Sequence, residues 1–169
     1  MVKKIRQTTS LSEAETKQIF GWGVDIFGAD DLGLRWRGKS VHFMMDVDGR
    51  VVSHVGILKH EVQVAGETLL VGGVGGVVTI PQAQKRGHAR ELLEHAVSLL
   101  REWQVAAGLL FCLERRVPFY ATQGWQLVLS PVIIQQPDGD MPSPLEVMVL
   151  PLARSSWPAG EVTLNSFPW

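Results

Sequence analysis

The spacing of apolar and polar positions changes several times along the chain, and each change predicts an element. Ser12–Phe20 predicts a first helix, with Ser10 or Ser12 as its cap and Glu13 and Glu15 in its first turn. Gly21 and Gly23 weaken its continuation. The segment Asp25–Gly38 mixes Asp25, Asp30 and Asp31 with Ile26, Phe27, Leu34 and Trp36, and predicts a short helix plus loop. Val41–Asp46 is strand-like, Asp48-Gly49 supplies a tight turn, and Arg50–Leu58 predicts the partner strand. A second hairpin is expected from Lys59–Val64 through Ala65-Gly66 to Glu67–Val71. Val74–Ile80 is rich in β-branched residues without clean alternation, as a central strand would be. Its neighbourhood holds Gly72, Gly73, Gly75 and Gly76, which lower strand propensity but let another group approach the backbone.

Arg90–Trp103 predicts a helix with Leu92, Leu93, Ala96, Val97, Leu99 and Leu100 on a broad apolar face. Leu109–Leu113 predicts a buried strand, and Pro118–Gln123 a short helix stopped by Gly124. Trp125–Ile134 and Leu145–Pro151 predict two further strands around the proline-containing loop Gln135–Pro144. The tail, residues 153–169, is polar with four bulky anchors, Trp157, Val162, Phe167 and Trp169. No internal repeat and no second domain are visible.

Composition narrows the classes. At 169 residues, with 46% apolar and 20% charged residues, the chain has core enough to fold as one domain. A formal charge of -1 gives no case for nucleic acid or a membrane surface as partner. No apolar run reaches membrane-spanning length, and Met1–Arg6 carries too few apolar residues for a secretory leader. A lone cysteine, Cys112, excludes an internal disulfide and a cysteine-rich zinc site, and fits a cytoplasmic protein. His42, His54, His60, His88 and His95 show no metal-ligand spacing, so no metal is expected. Six tryptophans suit the core, and equally a site for a flat or sugar-like ligand.

The chemistry concentrates at Pro81-Gln-Ala-Gln84-Lys85-Arg86-Gly87-His88-Ala89, between the glycine-rich strand and the long helix. A helix start presents amides without intrahelical partners, and its dipole favours an anion. Gly87 and Ala89 leave room, and Lys85 and Arg86 add positive charge at the rim. A phosphate-bearing cofactor fits such a turn; a solvated helix cap with surface cations would read the same way. Neither a P-loop nor a Gly-x-Gly-x-x-Gly dinucleotide turn occurs.

The run Val77-Val78-Thr79-Ile-Pro81-x-x-Gln84-x-x-Gly87-x-Ala89 resembles the acyl-coenzyme A motif of the GCN5-related N-acetyltransferase superfamily. Val117-Pro-Phe-Tyr120-Ala-Thr-Gln-Gly124-Trp125 resembles that family's Phe-Tyr-x-x-x-Gly-Phe/Trp segment. Within it, Trp157-Pro-Ala-Gly160-Glu161-Val162 and a terminal Trp169 look like the tail of aminoglycoside 2'-N-acetyltransferases, although Thr163–Pro168 is inserted here. That group carries a glutamate on the central strand where this chain has Gly75.

The resemblance implies an α/β fold of the α+β type. It has a βαββ start and a mixed, mostly antiparallel central sheet with a splayed strand pair, flanked by helices. One domain would span residues 1–169, with the tail near the substrate site. Acetyl-coenzyme A would lie in the splay, along the backbones of Val77, Val78 and Thr79. Its pyrophosphate would be held by Gln84, Lys85, Arg86, Gly87, His88 and Ala89. The implied reaction is direct attack of a primary amine on the thioester, with a polycationic amino sugar as the expected partner; another small amine or a peptide amine is the alternative, as is an impaired coenzyme-binding module. Tyr120 would serve the departing thiolate. Asp25, Asp30, Asp31, Asp138, Glu161 and Trp169, whose terminal carboxylate is included, would bind the amine or take its proton. Cys112 can be read as an acetyl carrier or, from its apolar flanks, as an inert thiol. The tail aromatics can serve substrate or a homodimer contact.

Overall fold

Ser12 begins the first helix. Its hydroxyl accepts from the Glu15 amide at 3.1 Å, and the Glu15 carboxylate accepts from the Ser12 amide at 2.8 Å. Two orphan donors of the first turn are thereby satisfied. In the computed structural model, which describes residues 1–169, this helix, α1 (Glu13–Phe20), follows a first strand, β1 (Lys3–Thr8). The expected short helix before the sheet is a single 3-10 turn, Asp30–Leu32.

Three strands then make the centre of the sheet: β2 (Val41–Val47), β3 (Arg50–Val64) and β4 (Glu67–Thr79). The separate pieces expected over Arg50–Val64 and Glu67–Ile80 are thus two continuous strands. Gly72 and Gly73 do not interrupt β4, because neighbours fill the space their side chains would need. A Cβ on Gly72 would lie 2.3 Å from Leu100, and one on Gly73 2.4 Å from the Trp169 ring.

The long helix, α2 (His88–Glu102), is followed by β5 (Ala107–Cys112) and the short α3 (Val117–Ala121). The strand expected over Trp125–Ile134 divides into β6 (Gln126–Leu127) and β7 (Val132–Ile134). Pro131 breaks it, since proline has no N–H for a ladder. The remaining strands are β8 (Met141–Pro142), β9 (Glu146–Pro151) and β10 (Val162–Thr163). The main sheet order is β6-β9-β5-β4-β3-β10-β7-β8, with β2 and then β1 stacked beside the first half of β3. Only β4–β5 and β7–β10 run parallel; the sheet is mixed and mostly antiparallel, as expected. No helix is long and apolar enough to cross a membrane.

Helix α2 buries Leu92, Leu93, Ala96 and Leu100 against Val55, Val74 and Met45 on one side of the sheet. The tail covers a second cluster that includes Leu58, Val62, Leu109, Ile134, Leu164 and Trp169.

The feature that shapes the molecule is a bulge in β4. His54 pairs with Val78 and Gly56 with Gly75, so Gly76 and Val77 stand opposite Val55 alone. Gly76 adopts a φ of 60°, which a glycine takes without strain. The His54 ring braces the kink: its Nδ1 lies 2.6 Å from the Gly76 carbonyl oxygen. A carbonyl only accepts, so His54 carries its proton on Nδ1 and its Nε2 is an acceptor, met by Nδ1 of His42 at 2.8 Å. Past Val74 the β4–β5 ladder stops, its last pair being Val74 with Leu110. The edge of Gly75–Thr79 that faces β5 has no strand partner.

Burial pushes the His54 imidazole down from 6.5 to about 4, against the opposing effect of its bond to Gly76. The unfolded chain therefore takes up a proton below pH 6.5 that folded His54 refuses until about pH 4. Stability present above pH 6.5 should be lost across that window, by up to about 3 kcal/mol from this group. Urea midpoints measured from pH 7 to 4 should fall for the wild type and fall less steeply for His54→Gln. Parallel profiles for the two proteins would contradict the assignment.

Candidate active site

The turn between β4 and α2 is built as an anion cradle. Pro81–Ala83 forms a 3-10 turn, Lys85 has φ 62°, and Gly87 caps α2 with φ 80°. No acceptor in the protein meets the amides of Lys85, Arg86, Gly87, His88, Ala89 and Arg90; the first α2 bond outside the helix body is Glu91 N–H to the Gly87 carbonyl. A Cβ on Gly87 would meet nothing within 4 Å, so the cradle is open. Lys85 and Arg86 are exposed at its rim. Gln84 turns the other way, and its Nε2 donates to the Thr79 carbonyl at 3.1 Å, closing the end of β4.

His88 offers the turn its backbone rather than its ring. Its amide belongs to the cradle, but its side chain is buried, with both ring nitrogens unpartnered. It lies on the face that α2 turns inward with Leu92 and Ala96, so the imidazole points away from the turn. Burial lowers its pKa, and a neutral ring results. His95 is exposed on α2, its Nδ1 3.1 Å from the Glu91 carbonyl.

Across the gap stand the residues of β5 and α3. Tyr120 is buried, edge-on to Phe119 at 5.0 Å and to Trp125 at 6.3 Å. Burial first, and the nearby Cys112 second, raise its phenol pKa, so it remains a proton-bearing donor. Cys112 is buried and pushed up to about 11 by desolvation, which makes it a neutral thiol, the inert of its two readings.

On the sheet face opposite α2 the structure assembles a group that sequence reasoning missed. His42, Gly56 and Gly75 are paired in one row across β2, β3 and β4. The two glycines leave a trough, and the Lys39 stem fills it. A Cβ on Gly56 would lie 2.4 Å from Lys39 Cγ, and one on Gly75 2.6 Å from Lys39 Cε. The Lys39 ammonium has one polar contact, the Arg37 carbonyl at 3.5 Å, and no carboxylate within ion-pair distance. Burial lowers it from 10.5 to about 8. His42 is lowered too, by burial first and by Lys39 second, against the pull of Glu15. Phe20 and Phe27 close the trough from α1 and its following loop, the Phe20 ring lying 5.2 Å from His54 and 6.2 Å from Phe27. Counting outward from the Asp48-Gly49 turn pairs His42 with Val55 and puts His54 on the other face; the bulge between Met45 and Asp46 shifts the register and brings the two rings together, so no local signal marks this pair.

Trp169 reaches the same place. Its indole Nε1–H donates to the Leu109 carbonyl at 3.0 Å, and its ring packs edge-on to Phe111 and His60. An oxygen of its terminal carboxylate would lie 3.0 Å from a Cβ on Gly75. The tail is held by Arg37, whose amide donates to Pro168 O at 2.7 Å and whose Nη1 donates to His60 Nδ1 at 2.7 Å. His60 Nε2–H in turn donates to the Leu164 carbonyl at 2.6 Å.

The acids separate. Asp25 caps the turn after α1, its Oδ1 accepting from the amides of Ala29 at 2.9 Å and Asp30 at 3.0 Å. Asp30 is raised by the charge of Asp25 first, and Asp31 adds to the effect. Their loop rests on the exit of β5, since a Cβ on Gly28 would lie 2.7 Å from the Arg115 guanidinium. Asp138 is exposed between β7 and β8, in a turn whose Gln136 brackets the backbone of Arg35. Glu161 is exposed beside the Ala65-Gly66 turn. From Glu67 to Gly75 the strand runs on the order of 25 Å, so Glu161 stands at the far end of the hairpin from the trough.

These features fit an acyl-coenzyme A: free amides for a pyrophosphate, and an unpaired strand edge for an amide-containing arm. Known proteins agree. The acetyltransferase (GNAT) domain family matches residues 33–128. No protein of curated function matches the chain. Among solved structures, the GNAT family N-acetyltransferase YhbS from Escherichia coli, in complex with CoA, has a TM-score of 0.62 at 19% identity, covering 96% of this chain and 89% of its own. A GNAT family acetyltransferase from Brucella melitensis, in complex with acetyl-CoA, has a TM-score of 0.60 at 14% identity, covering 97% and 96%. A probable N-acyltransferase from Enterococcus faecalis has a TM-score of 0.57 at 16% identity over 76% of this chain, which spans only 33% of that larger protein. At such identities the likeness is one of fold. The family match extends from ahead of β2 to just past β6, more than half of the sequence. The chain belongs to the GNAT acetyltransferase family.

Proposed function

We propose that the protein is an acetyl-coenzyme A-dependent N-acetyltransferase that acts by direct transfer to a primary amine. The observation that supports it most is the pairing of two unsatisfied backbone surfaces: six consecutive free amides at Lys85–Arg90, and the unpartnered edge of Gly75–Thr79 leading away from them. The cradle amides, with Lys85 and Arg86, would hold the pyrophosphate. The edge of Val77, Val78 and Thr79 would hold the arm as an added strand. Bound there, acetyl-coenzyme A supplies an activated acyl group as a thioester.

The chain's own residues do the rest. An incoming ammonium must lose a proton before its nitrogen can attack. The tautomer fixed by His54 and Gly76 leaves the Nε2 lone pair of His42 free, and His42 is neutral because its pKa is lowered. The positive charge of Lys39 also favours the neutral form of an approaching amine. A main-chain N–H near Val78 can stabilise the developing oxyanion. Tyr120, held in its protonated form, donates a hydrogen bond to the sulfur that departs.

As acceptor we favour an aminoglycoside or similar amino sugar. The loop over 21–38 carries both exposed aromatics, Trp22, Phe27 and Trp36, and the crowded acids Asp25, Asp30 and Asp31. Aromatic faces suit a sugar ring, and carboxylates suit ammonium groups.

Calorimetry with acetyl-coenzyme A should show one-to-one binding, and Gly87→Asp should weaken it roughly tenfold or more by placing a carboxylate in the cradle. Unchanged affinity in that variant would contradict the pyrophosphate position. Tyr120→Phe should lower kcat about 10- to 100-fold with little change in coenzyme KM; an unaltered kcat would remove Tyr120 from the reaction. Product masses from a panel of amino sugars, polyamines, amino acids and peptides should show acetylation of amino sugars. Transfer confined to another class would replace the acceptor, and coenzyme binding without turnover on any class would mark a binding module.

A further inference from the structure

Lys39 is a primary amine built into the floor of the acceptor trough. Its stem is fixed over Gly56 and Gly75, where side chains of any size would displace it. Gly75 is the first β4 residue beyond the last β4–β5 pair, so the Lys39 Cε lies at the closed end of the gap. The free edge from Thr79 to Gly75 measures on the order of 13 Å, and it connects that closed end to the phosphate cradle. An amine held in this way has no carboxylate partner and a single marginal hydrogen bond. The groups facing it are the imidazoles of His42 from β2 and His54 from β3, the Arg37 carbonyl, and the terminal carboxylate of Trp169, which lies beyond ion-pair distance. Half-burial costs an ammonium more than a neutral amine, which favours loss of its proton.

We propose that Lys39 is an acetylation site of this protein, modified in cis by the acetyl donor bound in the β4–β5 gap. The proposal rests on the coenzyme position given above. The lone pair of neutral Lys39 Nζ forms a bond to the carbonyl carbon of the acetyl thioester. The carbon–sulfur bond breaks, and its electron pair leaves with the coenzyme as thiolate. The proton released from Nζ passes to the free Nε2 of His42 or to water. The product is an uncharged amide. The depressed basicity of Lys39, near 8, makes a useful fraction of neutral amine at physiological pH. A fixed nucleophile also carries the advantage of an intramolecular reaction.

Two measurements on the full chain test this. In the protein alone, trace labelling with acetic anhydride across pH, read by peptide mass mapping, should give Lys39 a reactivity that rises near pH 8. The exposed Lys17 and Lys85 serve as internal references for the labelling. With acetyl-coenzyme A and no amine added, Lys39 should gain one acetyl group roughly tenfold or more faster than those exposed lysines. Its rate should not change on dilution of the protein, and an added acceptor amine should slow it. Gly87→Asp should lose the coenzyme-dependent labelling and keep the anhydride profile. Acetyl spread evenly over the lysines, in protein that calorimetry shows to bind the coenzyme, would overturn the proposal and leave the proposed function standing. Absence of coenzyme binding would overturn both.

Discussion

Everything at the centre of this molecule depends on the point where β4 stops pairing with β5. A parallel ladder that continued past Val74 would satisfy the backbone of both strands and leave nothing for a ligand to complete. The extra residue of the bulge turns β4 away instead, and the left-handed glycine at Gly76 makes that turn without strain. Holding the kink requires a donor for the Gly76 carbonyl, and buried His54 provides it. That bond fixes the His54 tautomer, which then decides how His42 is protonated. One backbone irregularity thus sets both the gap and the proton chemistry beside it.

The glycines of β4 perform a second task. Each is a vacancy filled from another element: Gly72 by Leu100 of α2, Gly73 by the Trp169 ring, and Gly75 by Lys39 and the Trp169 main chain. A sheet face of side chains would have kept the tail and Lys39 out. With glycines there, the tail lies flat on the sheet and is tied down through His60 and Arg37. The same arrangement explains why a carboxylate on β4 is missing at position 75. The space it would use belongs to the Lys39 stem and the end of the Trp169 main chain.

Much of the fold was legible from the chain because its signals were local. The cap at Ser12, the turn at Asp48-Gly49, the apolar stripe of α2 and the small, basic turn before it all depend on neighbours in sequence. Continuity of β3 and β4 was not legible, because glycine lowers strand propensity locally while Leu100 and Trp169 compensate from far away. Pro131 marks the division of 125–134 locally, but no local pattern reveals that β6 pairs with β9 and β7 with β8 and β10. The amides of the cradle were foreseeable from the turn, but the inward face of His88 becomes plain only once the α2 face is in register with Leu92. Lys39, His42 and His54 were missed as a group because strand pairing, not sequence proximity, brings them together. Acids rank as candidates by charge alone in a sequence, and only the topology shows that Glu161 stands at the far tip of the hairpin.

The most direct test of the central claim is a backbone NMR titration of the folded chain with acetyl-coenzyme A. The account predicts that the largest amide shifts fall at Lys85–Arg90 and along Gly75–Thr79, with smaller shifts at Trp169 and Lys39. Shifts centred instead on the open groove of Lys59, Gln63, Thr68 and Asn165, or no shifts at all, would contradict it.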